Sequence, residues 1–444
     1  MENIYGIDLG TTNSLIGLAK TGFLSDMVPS CVDMETGKAG KDYFDNMSAK
    51  RSFKVDMSMG VEGIAPRVAS KYVLKELCNQ VKDEKVHSVV ISVPAYFTDS
   101  QRTATIVAAT DCGLDVKGLV NEPTAAAMYI AKQSKGLYVV FDLGGGTFDI
   151  SVIDSRFGFF DVQATTGRIV GGDNLDRNIM RHFIKEGNIP IHKINEKARM
   201  ALQHFASKMK IKMQKEQKDF EIDLSVFGGY TILFTVENYK QLMKLTFSDC
   251  VNDTKNLINT CIPDGERFEI LLVGGSTHCP YLREYITQII GQAPAPITYD
   301  PDRVVAQGAA LYASLIEEGV IEQKVSDVTR ALSIGLSDGT VQIVVPANSK
   351  IPMSTENMFT NPVDAKSLIL DLYQGENMFA KDNEMIGQLI YDYEEPKAAG
   401  TGQVLVTVSI DSMGVINLEA KELLGAPKII VIKRNSKLEG DKNE

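Results

Sequence analysis

Apolar positions in the first three hundred residues follow two alternating periods. Ile4–Leu9, Leu15–Ala19, Ser88–Val93, Tyr138–Asp142, Ile150–Ile153 and Ile270–Val273 are short runs rich in β-branched residues and read as strands. Asp99–Cys112, Pro123–Gln133, Asp173–Glu186, Glu196–Lys215 and Val236–Thr260 carry helical spacing. This alternation predicts an α/β architecture with at least one central mixed sheet. After about residue 330 the period falls to two. Val404, Val406, Val408 and Ile410 share one face of Gln403–Asp411, and Thr407 and Ser409 lie on the other. Val415–Lys421 repeats the alternation after a turn at Asp411–Gly414, and Thr340–Val345, Leu368–Tyr373 and Lys428–Ile432 complete a set of short strands. One apolar and one polar face is what an antiparallel sandwich needs. The predicted organisation is an α/β domain over residues 1–316, a linker over 317–328, an all-β sandwich over 329–432 and a polar, frayed tail over 433–444.

Composition narrows the function classes. Of 444 residues, 44% are apolar and 23% charged, ordinary for a globular protein with two or three sizeable cores. The net charge of −11 is spread along the chain, which argues against nucleic-acid binding, since phosphate backbones need clustered Lys and Arg. No apolar run approaches the length of a membrane span. Met1-Glu2-Asn3-Ile4-Tyr5 lacks a basic n-region, so no signal peptide and a cytoplasmic location are expected. Six cysteines include no C-x-x-C pair, so neither a zinc nor a redox motif is indicated.

Two segments share one grammar. Ile7-Asp8-Leu9-Gly10-Thr11-Thr12-Asn13-Ser14 is a strand end, an Asp, a Gly-Thr turn and a second strand. Phe141-Asp142-Leu143-Gly144-Gly145-Gly146-Thr147-Phe148-Asp149 repeats it. Glycines let backbone N–H groups approach phosphate oxygens closely, and Thr hydroxyls add donors. Two carboxylates converging on a polyphosphate would repel it unless hydrated Mg2+ lay between them. Neither loop is a Walker A sequence. One such loop would read equally well as an ordinary hairpin turn; two in register argue for two related halves. Gly274-Gly275-Ser276-Thr277, ahead of a helix opened by Pro280, is a weaker seat for an anion or ribose, and Gly171-Gly172-Asp173 is weaker still. Glu122, in Asn121-Glu122-Pro123-Thr124-Ala125-Ala126-Ala127, is either a capping-turn carboxylate or a water-orienting group.

Together with Val93-Pro94-Ala95-Tyr96-Phe97, Leu272-Val273-Gly274-Gly275-Ser276-Thr277, Lys350-Ile351-Pro352 and Tyr373-Gln374-Gly375-Glu376, these segments resemble the DnaK-type heat-shock chaperones over nearly the whole chain. The resemblance implies an actin/hexokinase-like ATPase domain of two pseudo-symmetric lobes, followed by a β-sandwich peptide-binding domain. It implies slow hydrolysis of ATP to ADP and phosphate with Mg2+ and K+ as cofactors. By position, Lys54, Glu122, Asp142 and Thr147 would be catalytic, Asp8 and Asp142 would hold Mg2+ through water, and Asp149 would support K+. Gly10, Thr11, Thr12, Asn13, Gly144, Gly145, Gly146 and Gly172 would cradle phosphates, and Lys210, Gly274, Gly275, Ser276, His278 and Asp302 would line the nucleoside side. Pro94, Arg102 and Asp327 would relay nucleotide state between domains, and Leu336, Phe359, Leu368 and Leu370 would line a groove for extended apolar polypeptide. Implied partners are unfolded clients, a J-domain co-chaperone and a nucleotide exchange factor, with the chain itself a monomer.

Departures from the family pattern are also legible. Only 39 residues separate Lys54 from Pro94, which implies a reduced subdomain. Ser207 and His278 stand where an adenosine-contacting Glu and an adenine-stacking Arg are usual. The family's leucine run before the linker Asp is replaced by Glu322-Gln323-Lys324-Val325-Ser326, which predicts weaker interdomain coupling. The tail carries one apolar residue, Leu438, so no helical lid is expected. Two other classes fit less well: a nucleotide-regulated scaffold with little turnover, and a small-molecule kinase on the same fold, in which a β domain would have no role.

Overall fold

The computed structural model describes residues 3–43, 49–57, 64–82, 84–132, 135–422, 428–430 and 433–434. Two mixed sheets repeat one topology. In the first, the Ile4–Leu9 strand pairs antiparallel with Asn13–Leu18 and parallel with Ser88–Val93, which pairs parallel with Asp115–Asn121. In the second, Leu137–Leu143 pairs antiparallel with Phe148–Asp154 and parallel with Glu269–Val273. Each hairpin turns at one of the glycine loops, and each central strand is buried on both faces, as continuous apolar runs predict.

The helices Glu122–Ile130 and Val304–Glu317 pack between these sheets. Their small residues have a physical reason. A Cβ on Gly308 would lie 1.8 Å from the Ala125 carbonyl oxygen, and one on Gly6 would lie 2.1 Å from the Ala310 amide nitrogen. Backbone meets backbone at both crossings, so neither side can yield. Gly308→Ala is therefore expected to destabilise the protein by about 3 kcal/mol or more, read as a fall in the urea midpoint at unchanged slope.

The C-terminal segment forms two antiparallel sheets around one core. One orders Val341–Val345, Leu332–Gly335, Ala365–Gln374, Glu384–Lys397 and Lys433–Arg434; the other orders Met353–Thr360, Gln403–Ile410, Ile416–Glu422 and Lys428–Ile430. Val404, Val406, Val408 and Ile410 all point inward, as the alternation requires. No helix among the described residues is long and apolar enough to cross a membrane.

Two expectations need correction. The segment read as a weakly docked linker is built into the fold. Val325–Val328 is a strand, parallel to Phe160–Arg168 on one side and antiparallel to Lys350–Ile351 on the other. Backbone pairing holds this segment in place, and the Val328 side chain is buried. The tail read as frayed contributes Lys433–Arg434, which pairs with Gly387 and Gln388; residues 435–444 lie outside the described residues.

Candidate functional site

The two glycine loops meet. A Cβ on Gly145 would fall 2.1 Å from Thr12 Oγ1, and one on Gly146 would fall 2.9 Å from Thr11 Cγ2. Within the second loop the Gly144 N–H donates to the Thr147 carbonyl at 3.0 Å, closing a turn lined by amides. The Gly172–Glu186 helix starts at this loop: the Gly172 and Asp173 amides donate to the Gly144 and Gly145 carbonyls at 3.0 and 2.8 Å. Asn13 opens the strand that leaves the first loop, while Gly10 is so close to the Asn13 carbonyl (2.1 Å from a Cβ) that only glycine fits.

Carboxylates gather beside the loops. Asp142 and Asp149 are direct cross-strand partners and both are buried. Asp8 is the penultimate residue of the corresponding strand of the first sheet and accepts from Ser92 Oγ at 2.8 Å. Burial first, and then the Glu122 charge, push the Asp8 and Asp149 carboxyls up to about 7. Asp142 is raised by burial, then by Glu122, Asp149 and Asp8. Its Oδ2 is buried without a hydrogen-bond partner. Lys54, whose side chain is 2% exposed, pairs with Glu122 at 2.6 Å and also faces the three aspartates. Four acids around one lysine leave a deficit of positive charge. The orphaned oxygen and the bare amide loops fit a divalent cation carrying a polyphosphate. Glu122 accordingly sits in an ion pair at the first helical position, with no side-chain cap at Asn121.

On the other side of the loop, Ser276 Oγ donates to the Gly144 carbonyl at 2.8 Å. Gly274 has φ +84°, where a side chain would be strained, and a Cβ on Gly275 would meet Asp302 Oδ1 at 2.8 Å. His278 Nε2 lies 2.9 Å from Asp302, whose carboxylate holds the imidazole pKa above its ordinary value. Lys210 is engaged by Asp176 at 2.9 Å and by the Gly172 carbonyl at 3.2 Å. The residues expected on the nucleoside side thus adjoin the second glycine loop.

Of the residues expected to form a relay, Arg102 and Asp327 are linked through Asn121. Pro94 follows the Ser88–Val93 strand and is buried. Arg102 donates to Asn121 Oδ1 at 2.7 Å and to the Met413 carbonyl at 3.1 Å. Asn121 in turn donates to Asp327 Oδ2 at 2.8 Å. Asn121 is thus a junction, next to Glu122, that the sequence reading quoted within a motif but gave no role. Asp99 adds a second tie, its Oδ1 accepting the Ile416 amide at 2.9 Å.

The four groove residues do not share an accessible surface. Phe359, Leu368 and Leu370 point into the core between the antiparallel sheets, and Leu336 is 42% exposed on the turn closed by the Thr340 carbonyl. Period-two alternation over Leu368–Tyr373 puts Leu368 and Leu370 on one face, and that face is buried. Large apolar side chains that this segment does leave outside include Ile343, Met358, Ile369 and Met378.

Two strand–glycine–strand hairpins with acids at their ends, joined to antiparallel sheets, define a mixed α/β protein. Residues 45–444 match the family model described as Hsp70 protein. The chain is 32% identical over 491 aligned positions to the chaperone protein DnaK of Thermosipho melanesiensis, covering 98% of this chain and 81% of that protein. It is 31% identical over 494 positions to the chaperone protein DnaK of Thermosipho africanus, covering 99% and 81%. The chain belongs to the Hsp70 family, as a DnaK-type member. Members of this family are ATPases with an actin-like domain that binds ATP or ADP with Mg2+. Both alignments are longer than the chain itself, so these relatives carry segments that this chain lacks.

Proposed function

We propose that this protein is an ATP-driven chaperone in which hydrolysis in the loop cleft governs the C-terminal β segment. In this reading residues 1–316 are a two-lobed actin-like domain, 317–328 a connecting segment and 329–432 a β-sandwich that binds extended apolar polypeptide. The observation that carries it is the buried Lys54–Glu122 pair facing Asp142 and Asp149, one residue from the Asn121 junction that reaches Arg102, Asp327 and Met413.

Water attacks the γ-phosphorus in line, and the protein contributes position and charge. Lys54 neutralises the γ-phosphate. Glu122, held by Lys54, would accept from the attacking water, and the Thr147 hydroxyl would help to position it. The loop amides of Gly10–Thr12 and Gly144–Gly146 bind phosphate oxygens. Asp8 and Asp142 are suited to hold Mg2+ through water, and Asp149 to hold K+; the bound Mg2+ supplies charge neutralisation and a fixed template for the phosphates. Extended clients, a J-domain co-chaperone and an exchange factor are the partners this reading implies, for a cytoplasmic monomer.

Single-turnover ATP hydrolysis tests it. Thr147→Ala is expected to lower the rate about 100-fold with little change in ATP affinity, as loss of one positioning donor does elsewhere. An extended Leu-rich peptide should accelerate the wild type. Tight ATP binding with no turnover would favour the nucleotide-regulated scaffold instead. Phosphate release without an added acceptor excludes the kinase reading.

A further inference from the structure

Arg330 lies two residues past the Val325–Val328 strand, and its side chain is only 9% exposed. Its guanidinium stacks over the Tyr96 ring, 3.9 Å from the centroid, and Nη1 donates to the Tyr96 carbonyl at 3.1 Å. Glu384, an exposed carboxylate, stands 3.6 Å away. A buried cation facing a half-exposed carboxylate at 3.6 Å adds little net stability, because desolvation offsets the attraction. The arrangement does fix Tyr96. The Tyr96 N–H donates to Asp149 Oδ1 at 2.8 Å. That N–H and the Tyr96 carbonyl lie in successive peptide planes, so a bond at each end pins both backbone dihedrals between them. A cavity of about 20 Å³, room for about one water, is lined by Tyr96, Thr147, Asp149, Arg330 and Glu384 among others.

We propose that Arg330 is a positioning residue for ATP hydrolysis: seated on Tyr96, it holds the Asp149 carboxylate in register with Thr147 and so makes the seating of the C-terminal sheets part of the cleft's geometry. The proposal rests on the hydrolytic reading above. It gives one cation the coupling role that a run of linker leucines would otherwise fill.

The test uses the full chain and two variants, R330A and R330K, with single-turnover hydrolysis at saturating Mg-ATP, ATP affinity measured separately, and amide exchange at Tyr96. R330A is expected to lower the rate about tenfold while ATP Kd stays within about twofold. Its Tyr96 amide should exchange about tenfold faster, with the Gln403–Ile410 strand still protected. R330K keeps a cation over the ring and one donor, and should return the rate to within about threefold of wild type. A wild-type rate with an unchanged Tyr96 amide in R330A would overturn the proposal. So would a general loss of protection across both antiparallel sheets, which would make Arg330 a structural residue only. If the wild type itself fails to hydrolyse ATP, the functional reading falls with the positioning role. Tyr96 exchange in the ATP-bound R330A protein then separately decides whether Arg330 reaches the cleft.

Discussion

Lys54→Ala is expected to abolish ATP hydrolysis, by about a thousandfold or more in a single turnover, and also to destabilise the fold by about 3–5 kcal/mol. Both effects come from one location. The ammonium is fully buried, 2.6 Å from Glu122 and 5.6 Å from the centre of the Phe97 ring. Removing it leaves Glu122 buried without its counter-charge, beside three aspartates whose carboxyl pKa values burial and neighbouring charge already raise. The γ-phosphate then meets a site of uncompensated negative charge. The double variant Lys54→Met with Glu122→Gln separates the two consequences. It restores charge balance in the pocket, so urea unfolding should recover most of the lost stability, while hydrolysis stays absent because neither group can act on phosphate or water. Turnover in Lys54→Ala within tenfold of wild type would remove this lysine from the chemistry.

Which features were legible in the sequence follows from how local their causes are. The glycine hairpins are set by contiguous residues, so the two loops and the acids that precede them, Asp8 and Asp142, are legible in the sequence. Period two over Gln403–Ile410 likewise gave its buried face. Phe160–Arg168 escaped because its Gln, Thr and Gly positions blur the alternation; it becomes a strand by pairing on both sides, with Phe148–Asp154 and with Val325–Val328. The Val325–Val328 strand is hidden in the sequence for a related reason. Counting leucines measures side-chain burial, whereas this segment docks largely through main-chain pairing. Arg330 and Asn121 could not be found by pattern at all, since their partners lie 234 and 206 residues away. The Ala125–Ala127 run was visible as composition, but its purpose, the backbone-close crossing at Gly308, exists only in three dimensions.

Asp142→Asn should act in opposite directions on the free and the loaded protein. In metal-free protein the Asp142 carboxylate is buried, opposes Asp149 across the hairpin, feels Asp8 and Glu122, and leaves Oδ2 without a partner. An asparagine has the same shape, carries no charge and offers two N–H donors to neighbouring carboxylates. Chelated Asp142→Asn protein is therefore expected to be more stable than wild type by about 1–2 kcal/mol, a rise of about 2–6 °C in Tm. With Mg-ATP the order reverses. At ligand a hundred times Kd, binding adds about 2.7 kcal/mol to the wild type; a variant bound about 100-fold more weakly gains only about 0.4 kcal/mol at the same concentration. Thermal unfolding in chelator and in Mg-ATP measures both halves. A metal-free variant that is less stable than wild type, yet keeps the full Mg-ATP shift, would place the cation away from Asp142. The opposite pattern ties two facts to one cause: the acids whose buried charges oppose one another are those whose charge the nucleotide's metal requires.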